Sequence, residues 1–207
     1  MATQAPRQVL LTGASGFVGR RLAPLLEALG WRVRCASRDA AAMRARWPER
    51  TWVQLDLSLP DDVERALLGC HAAYYLVHSM AETSTGLFER ERAVAESFAL
   101  AAERAGLERV IYLGATEPQG PPSEHLRSRL EVGRVLRSGA VAALELRAGM
   151  IVGYGSASWR IARDLAARLP AMVLPRWLQT RSEPIAIDDV LIALADAARM
   201  PLSRSMS

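Results

Sequence analysis

Three glycines spaced three residues apart give the clearest chemical signal in this sequence. Gly13, Gly16 and Gly19 follow the apolar run Val9-Leu10-Leu11 and precede leucines at helical spacing. A glycine turn between a strand and a helix lets the backbone approach a pyrophosphate, whose negative charge the helix N-terminus favours. The pattern predicts a dinucleotide site formed by Gly13, Ser15, Gly16, Phe17, Val18 and Gly19.

The residues at the end of the second predicted strand bear on the choice of cofactor. An NAD site presents an acidic residue to the adenosine ribose at this point, whereas this chain has Ser37-Arg38-Asp39. The Arg38 guanidinium can hold a 2′-phosphate as a planar fork, and Ser37 can add a hydroxyl. We therefore expect NADP. NAD is the alternative, because Asp39 lies near the position of the acid, although Asp39 also suits the N-cap of the next helix.

Two further strand ends complete the predicted cofactor site. Asp56 and Leu57 follow the third strand, where they would approach the adenine edge, and Leu76, Val77 and His78 end the fourth, where the middle of the cofactor would lie. His78 either donates a hydrogen bond to a ribose or only ends the strand.

Strands and helical segments alternate six times before Arg147. Helices of this length between strands imply right-handed crossovers, and therefore an α/β fold with a doubly wound parallel sheet. We expect Ser58 to cap the third helix and Asp188 to cap the last. We divide the chain into a dinucleotide-binding core over 1–148, a partial substrate or lid region over 149–199 packed on the same domain, and a frayed tail over 200–207.

Composition restricts the possible chemistry. The 207 residues are 50% hydrophobic, as expected of one globular domain. All 26 basic residues are arginine, and the chain has neither lysine nor asparagine. These absences exclude a phosphate-loop lysine, a Schiff base, a Tyr-x-x-x-Lys pair and an N-glycosylation site.

The cysteines, the charge pattern and the lengths of the apolar runs indicate the compartment and the partners. Cys35 and Cys70 lie outside any metal-ligand or Cys-x-x-Cys spacing, so we expect buried reduced thiols, no metal and a cytoplasmic protein. The arginines alternate with acids, which argues against nucleic acid. No apolar run approaches the roughly 20 residues of a spanning helix, so no membrane partner is expected. A small-molecule substrate is expected. Trp159, Met172 and Trp177 would form an apolar part-lid or a homodimer contact.

Taken together, these residues resemble the extended and atypical members of the short-chain dehydrogenase/reductase superfamily, the NAD(P)-dependent epimerase/dehydratase-like and NmrA-like proteins. The resemblance runs from about Val9 to Ala198. It implies a Rossmann fold that binds a nicotinamide cofactor. Its landmarks are Thr12-Gly13-x-x-Gly16-x-x-Gly19, Asp56-Leu57, residues 74–80, residues 109–114, residues 146–149 and residues 184–190.

The chain departs from this family pattern at the catalytic residues. Active members carry a serine after the fifth strand and a Tyr-x-x-x-Lys on the next helix, whereas this chain has Gly114-Ala115 and His125-x-x-x-Arg129. One hypothesis is an NADP-dependent oxidoreductase or epimerase/dehydratase-like enzyme acting on a carbonyl or alcohol. His125 would then be the acid/base and Arg129 the orienting group.

The alternative function is a catalytically weak NADP-binding redox sensor or scaffold of the NmrA-like type. For Arg129 itself the alternative role is an ion pair with Glu131 or Glu124 on the surface. Two residues near the nicotinamide end remain open in either hypothesis. Tyr154 could contact cofactor or substrate, and Arg147 could bind an anion or brace the sheet.

Overall fold

The computed structural model describes residues 7–77, 86–118, 120–156, 159–160, 163–164 and 183–201. The tail beyond 201, His78, Met172 and Trp177 lie outside these residues. The strands are β1 (Gln8–Leu11), β2 (Arg32–Ser37), β3 (Thr51–Gln54), β4 (Ala72–Tyr75), β5 (Arg109–Ala115), β6 (Ala142–Ala148), β7 (Met150–Val152) and β8 (Pro184–Ala186). The helices are α1 (Gly19–Ala28), α2 (Ala40–Arg46), α3 (Pro60–Leu67), α4 (Leu87–Arg104), α5 (Glu124–Ser138) and α6 (Ile187–Ala197).

The first six strands form one parallel sheet in the order β3-β2-β1-β4-β5-β6, which confirms the predicted doubly wound fold. Val9 pairs with Val33 on one side and with Ala72 on the other. The chain therefore leaves β1 for β2 on one side, and after β3 it crosses back to β4 on the other side of β1. Ligands bind at such a switch point because the adjacent loops diverge and leave a crevice. The small pair β7-β8 was not predicted.

Helices cover both faces of the sheet, as a parallel sheet requires. One face packs against α1 and α6, through residues such as Leu22, Leu26 and Leu194. The other face packs against α3, α4 and α5, through Val63, Phe98 and Val132 among others. The alternation of β1 explains this division, because Val9 and Leu11 face the first core while Leu10 faces the second.

Side-chain hydrogen bonds attach helix α6 to strands β4 and β5. The Tyr74 hydroxyl donates to the Leu194 carbonyl at 2.7 Å. Buried Arg109 donates to the carbonyls of Ala197 at 2.9 Å and Met200 at 2.7 Å. The carbonyls of Leu194 and Ala197 belong to the last turn of α6, which lacks intrahelical partners, and the three bonds fix α6 and the residues after it to β4 and β5.

The predicted helix caps are partly confirmed. Asp39 caps α2, since its carboxylate accepts from the Ala42 N–H at 2.8 Å. The Ser58 cap was wrong: Leu59 holds the N-cap position of α3, because Pro60 starts the helix one residue later than predicted. The Asp188 cap was also wrong, because β8 runs directly into α6 and puts Asp188 in the first turn.

Cys35 and Cys70 are both buried and unpaired. Burial raises the pKa of the Cys35 thiol to about 12 and raises that of Cys70 in the same direction. Both thiols are therefore protonated at neutral pH and chemically inert in the folded chain. Among the described residues, no helix is long and apolar enough to cross a membrane, and no cluster of three metal-ligating side chains occurs.

Candidate functional site

Thr12 joins the two strands that flank the switch point. Its buried hydroxyl donates to the Tyr74 carbonyl at 2.9 Å and accepts from the Leu76 N–H at 3.0 Å. The end of β1 is thereby fixed to the end of β4, so the glycine turn that follows starts from a defined position.

The three glycines of this turn differ in what an added Cβ would meet. Gly13 has φ +65°, and a Cβ there would lie 2.7 Å from the Leu76 carbonyl oxygen. A Cβ on Gly19 would lie 2.3 Å from the Gly13 oxygen, so α1 could not start so close to the turn. A Cβ on Gly16 would meet only the Gly13 oxygen, at 3.1 Å, and would otherwise point into open space. That open side is where a ligand can approach the backbone.

The start of α1 suits an anion. No acceptor among the described residues takes the backbone N–H of Ser15, Phe17 or Val18. The first turn of α1 contains no acidic residue, and it carries Arg20 and Arg21. Unpaired N–H groups and the positive end of the helix dipole favour a pyrophosphate at this position. The residues present therefore fit the phosphates of a dinucleotide.

A cavity of about 670 Å³ extends from this turn across the carboxyl ends of β1, β2, β3 and β4. Seven of the predicted cofactor residues line it: Gly13, Ser15, Ser37, Arg38, Asp56, Leu57 and Val77. Gly16, Phe17, Val18, Gly19 and Leu76 do not line this cavity but belong to the turn and strand end beside it. His78 lies outside the described residues.

The far end of the cavity carries the Ser37-Arg38-Asp39 segment. The Ser37 hydroxyl accepts from the Asp39 N–H at 3.1 Å. The Asp39 carboxylate turns toward α2 and caps it, whereas the Arg38 side chain is exposed at the cavity wall. The end of β2 thus presents a hydroxyl and a guanidinium to the cavity, together with Asp39, whose Oδ1 is engaged in the helix cap.

Asp56 faces Arg38 across this end. Hydrogen bonds from the Ser58 hydroxyl at 2.7 Å and the Ser58 N–H at 2.9 Å hold the pKa of the Asp56 carboxyl below its ordinary value. The charge of Arg38 acts in the same direction. Asp56 is therefore an anion at neutral pH, and it can accept a hydrogen bond from a base or ribose in the cavity.

Sequence reasoning missed the wall that α4 and α5 contribute. Leu87, Arg90, Glu91 and Val94 of α4 and Val132 of α5 complete the lining. The crossover from β4 brings α4 over the cavity from residues distant in sequence. The seven-residue spacing of Leu87 and Val94 puts both on one helix face, and this signal could have identified them.

His125 and Arg129 lie outside the cavity lining. His125 is exposed in the first turn of α5. Arg129 points inward, and its guanidinium donates to the carbonyls of Gly114 at 3.2 Å and Leu113 at 3.4 Å, at the end of β5. Arg129 does not pair with Glu131, which is held by Arg134 and Arg92. Its guanidinium thus lies at the strand end where the family pattern puts the catalytic serine.

A buried carboxylate lies at the position where that serine would be. The Glu145 side chain of β6 is only 4% exposed and lies between two glycines. A Cβ on Gly114 would be 2.4 Å from Glu145 Oε1, and one on Gly133 would be 2.5 Å from the same atom. Glu145 Oε2 pairs with Arg137 and Arg147, both at 3.2 Å. Glu145 therefore occupies the space that a side chain at position 114 would need.

The structure shows the contacts of Arg147 and Tyr154, whose roles the sequence did not decide. Arg147 pairs with Glu117 at 2.6 Å as well as with Glu145, so it braces the edge of the sheet. Tyr154 is 92% exposed, and its carbonyl accepts from Arg21 at 2.7 Å.

The family model of the NAD dependent epimerase/dehydratase family matches residues 9–138. The chain belongs to this family. The matched residues run from β1 through α5 and so include the glycine turn, the cavity and the His125-x-x-x-Arg129 segment. A nicotinamide dinucleotide is the cofactor class of the family, and the open glycine turn fits it.

One relative is a ceramide reductase of Caulobacter vibrioides, 30% identical over 205 residues, which cover 98% of this chain and 64% of that protein. Pen of Bacillus thuringiensis has a similar fold, with a TM-score of 0.76 at 13% identity over 94% of this chain and 65% of its own. A short-chain dehydrogenase/reductase superfamily protein of Agrobacterium tumefaciens with bound NAD has a TM-score of 0.60 at 20% identity, over 70% of this chain and 50% of its own. The chain thus spans about two thirds of the Caulobacter relative and of Pen.

Proposed function

We propose that this member of the epimerase/dehydratase family binds NADP and reduces a carbonyl group on an apolar substrate. The observation that carries the cofactor choice is the end of β2. Ser37, Arg38 and Asp39 all line the cavity there, and Oδ1 of Asp39 is engaged in capping α2. A guanidinium and a hydroxyl match a 2′-phosphate, which is the group that distinguishes NADP from NAD.

The reaction class follows from the cofactor and the residues near β5. Bound NADPH supplies a hydride to a carbonyl carbon. The carbonyl oxygen then needs a proton, which the exposed His125 imidazolium can donate and recover from solvent. Arg129 holds α5 against the carbonyls of β5 and so fixes the position of His125. The name of the Caulobacter relative supports a lipid ketone as the substrate.

Arg38 provides the test of cofactor choice. We expect Arg38→Ala to weaken NADPH binding roughly 10- to 100-fold, because a charge-assisted hydrogen bond contributes about 1.5 to 3 kcal/mol. NADH binding should change little. Calorimetric titration with both nucleotides measures this, and Arg46→Ala, an exposed arginine outside the cavity, is the matched control. Equal losses of NADPH and NADH affinity, or tighter NADH binding by the wild type, would contradict NADP specificity.

His125 provides the test of catalysis. We expect His125→Gln to lower kcat roughly 100-fold, the usual scale of a lost general acid, with unchanged NADPH affinity. The assay follows NADPH oxidation with a ceramide whose secondary hydroxyl has been oxidised to the ketone, and with shorter aliphatic ketones. Equal turnover by wild type and variant would exclude His125 as the proton donor.

A second candidate function is an NADP-binding sensor or scaffold. It is favoured by the glycine at position 114, where Glu145 fills the space of the serine that active members use. Tight NADPH binding without turnover of any ketone by the wild type would support this candidate over the reductase.

A further inference from the structure

The turn between β2 and α2 carries the residues that the proposed function assigns to the 2′-phosphate. It comprises Ser37, Arg38, Asp39 and Ala40, and we call it the β2–α2 turn. The Ser37 hydroxyl accepts from the Asp39 N–H at 3.1 Å, and the Asp39 carboxylate accepts from the Ala42 N–H at 2.8 Å. Neither bond involves the Arg38 carbonyl or the Ala40 N–H, which need partners as well.

Gln54, the last residue of β3, bonds both of these groups with its side-chain amide. Its Nε2 donates to the Arg38 carbonyl, and its Oε1 accepts from the Ala40 N–H at 3.2 Å. The two bonds fix the backbone on either side of Asp39. In the part of the chain that the structure describes, no other side chain from outside the β2–α2 turn and α2 bonds this backbone.

The register of the sheet brings Gln54 to this place. Ser37 pairs with Gln54 in the parallel ladder between β2 and β3, and the Leu55 N–H donates to the Ser37 carbonyl at 2.9 Å. A side-chain amide offers a donor and an acceptor at one end, which matches the one acceptor and the one donor that the turn presents. A methionine at this position would have a similar length and could make neither bond.

The backbone of the turn determines where the Arg38 side chain begins. That side chain is exposed at the cavity wall, whereas Gln54 does not line the cavity. A guanidinium binds a phosphate best through two parallel N–H bonds, so the affinity depends on its position and orientation. A backbone that is fixed before the ligand arrives lowers the ordering cost of binding.

We infer that Gln54 is a positioning residue for cofactor choice, which acts through Arg38 and touches no ligand itself. It holds the β2–α2 turn in the conformation that presents the guanidinium to a 2′-phosphate. The inference rests on the proposed NADP function and deepens it, because the preference for a 2′-phosphate then depends on a residue outside the cavity.

Gln54→Met tests the inference, because it removes both bonds and keeps the length of the side chain. The probes are adenosine 2′,5′-bisphosphate and 5′-AMP, which differ only in the 2′-phosphate, and calorimetric titration of the full chain gives both affinities. We expect the wild type to prefer the bisphosphate. Gln54→Met should lower that preference about three- to tenfold, the scale of a lost neutral hydrogen bond, and leave the affinity for 5′-AMP nearly unchanged.

A double-mutant cycle shows whether Gln54 acts through Arg38. Arg38→Ala removes the guanidinium, so a residue that only positions this group has little left to change. We expect Gln54→Met to alter the preference by less than about twofold in the Arg38→Ala background. Hydrogen exchange of the Ala40 amide should be faster in Gln54→Met than in the wild type, because this donor has lost its partner.

Gln8→Met is the matched control, since Gln8 begins β1 at the end of the sheet opposite the cavity. It should keep the preference of the wild type. A preference that survives Gln54→Met, an equal reduction by Gln8→Met, or an additive effect in the Arg38→Ala background would overturn the inference and leave the NADP proposal standing. A wild type without any preference for the bisphosphate would overturn the NADP proposal, and the inference with it.

Discussion

Replacing Gly13 by alanine is expected to lower the free energy of unfolding by about 3 kcal/mol or more and to abolish nucleotide binding. The added Cβ would lie 2.7 Å from the Leu76 carbonyl oxygen, and the residue would have to adopt φ +65°. The Leu76 backbone cannot retreat without breaking its hydrogen bond to Thr12. Urea denaturation and calorimetric titration with NADPH measure the two effects.

Gly30 provides the matched control for this substitution. It has φ +87° at the end of α1, and a Cβ there would meet no atom within 4 Å. Gly30→Ala should therefore cost only the backbone strain, about 1 to 2 kcal/mol, and leave nucleotide binding intact. Similar losses for the two variants would mean that the approach of Gly13 to Leu76 does not determine the structure of the turn.

Restoring a serine at the end of β5 is expected to destabilise the fold rather than restore catalysis. The Cβ introduced by Gly114→Ser would lie 2.4 Å from Glu145 Oε1 and 3.1 Å from its Cγ, and displacing this side chain would disturb its pairing with Arg137 and Arg147. Overpacking of this kind costs about 1 to 3 kcal/mol. Gly120→Ser, at a glycine where an added Cβ would meet no atom within 4 Å, should be nearly neutral in the same urea titration.

A second substitution should relieve the clash. Glu145→Ala removes the carboxylate, while Arg147 keeps Glu117 and Arg137 keeps the Gly133 carbonyl as partners. We expect the double variant Gly114→Ser with Glu145→Ala to be more stable than Gly114→Ser alone, with a coupling of about 1 to 3 kcal/mol. Strictly additive effects would show that the two side chains do not compete for space.

The fold could be predicted because its signals are local and repeated. Apolar runs, helical spacing and glycine turns alternate six times, and one rule about crossover handedness converts that alternation into a parallel sheet. The caps at Ser58 and Asp188 were wrong by one or two residues, because Pro60 and the short strand β8 set the actual helix starts.

The candidate site was only partly predictable, because much of it is made by long-range contacts. Strand ends of one sheet meet at one edge, so Ser37, Asp56 and Val77 could be placed together. The lining from α4 depends on how a helix packs over that edge. The sequence alone could not place Glu145 between Gly114 and Gly133. Its location depends on the pairing of β5 with β6 and on the packing of α5 against these strands.

The position of Glu145 also links three residues that are far apart in sequence. Gly114 of β5, Gly133 of α5 and Glu145 of β6 share one small space, which the carboxylate fills. A substitution at any one of these positions should therefore have an effect that depends on the residues at the other two.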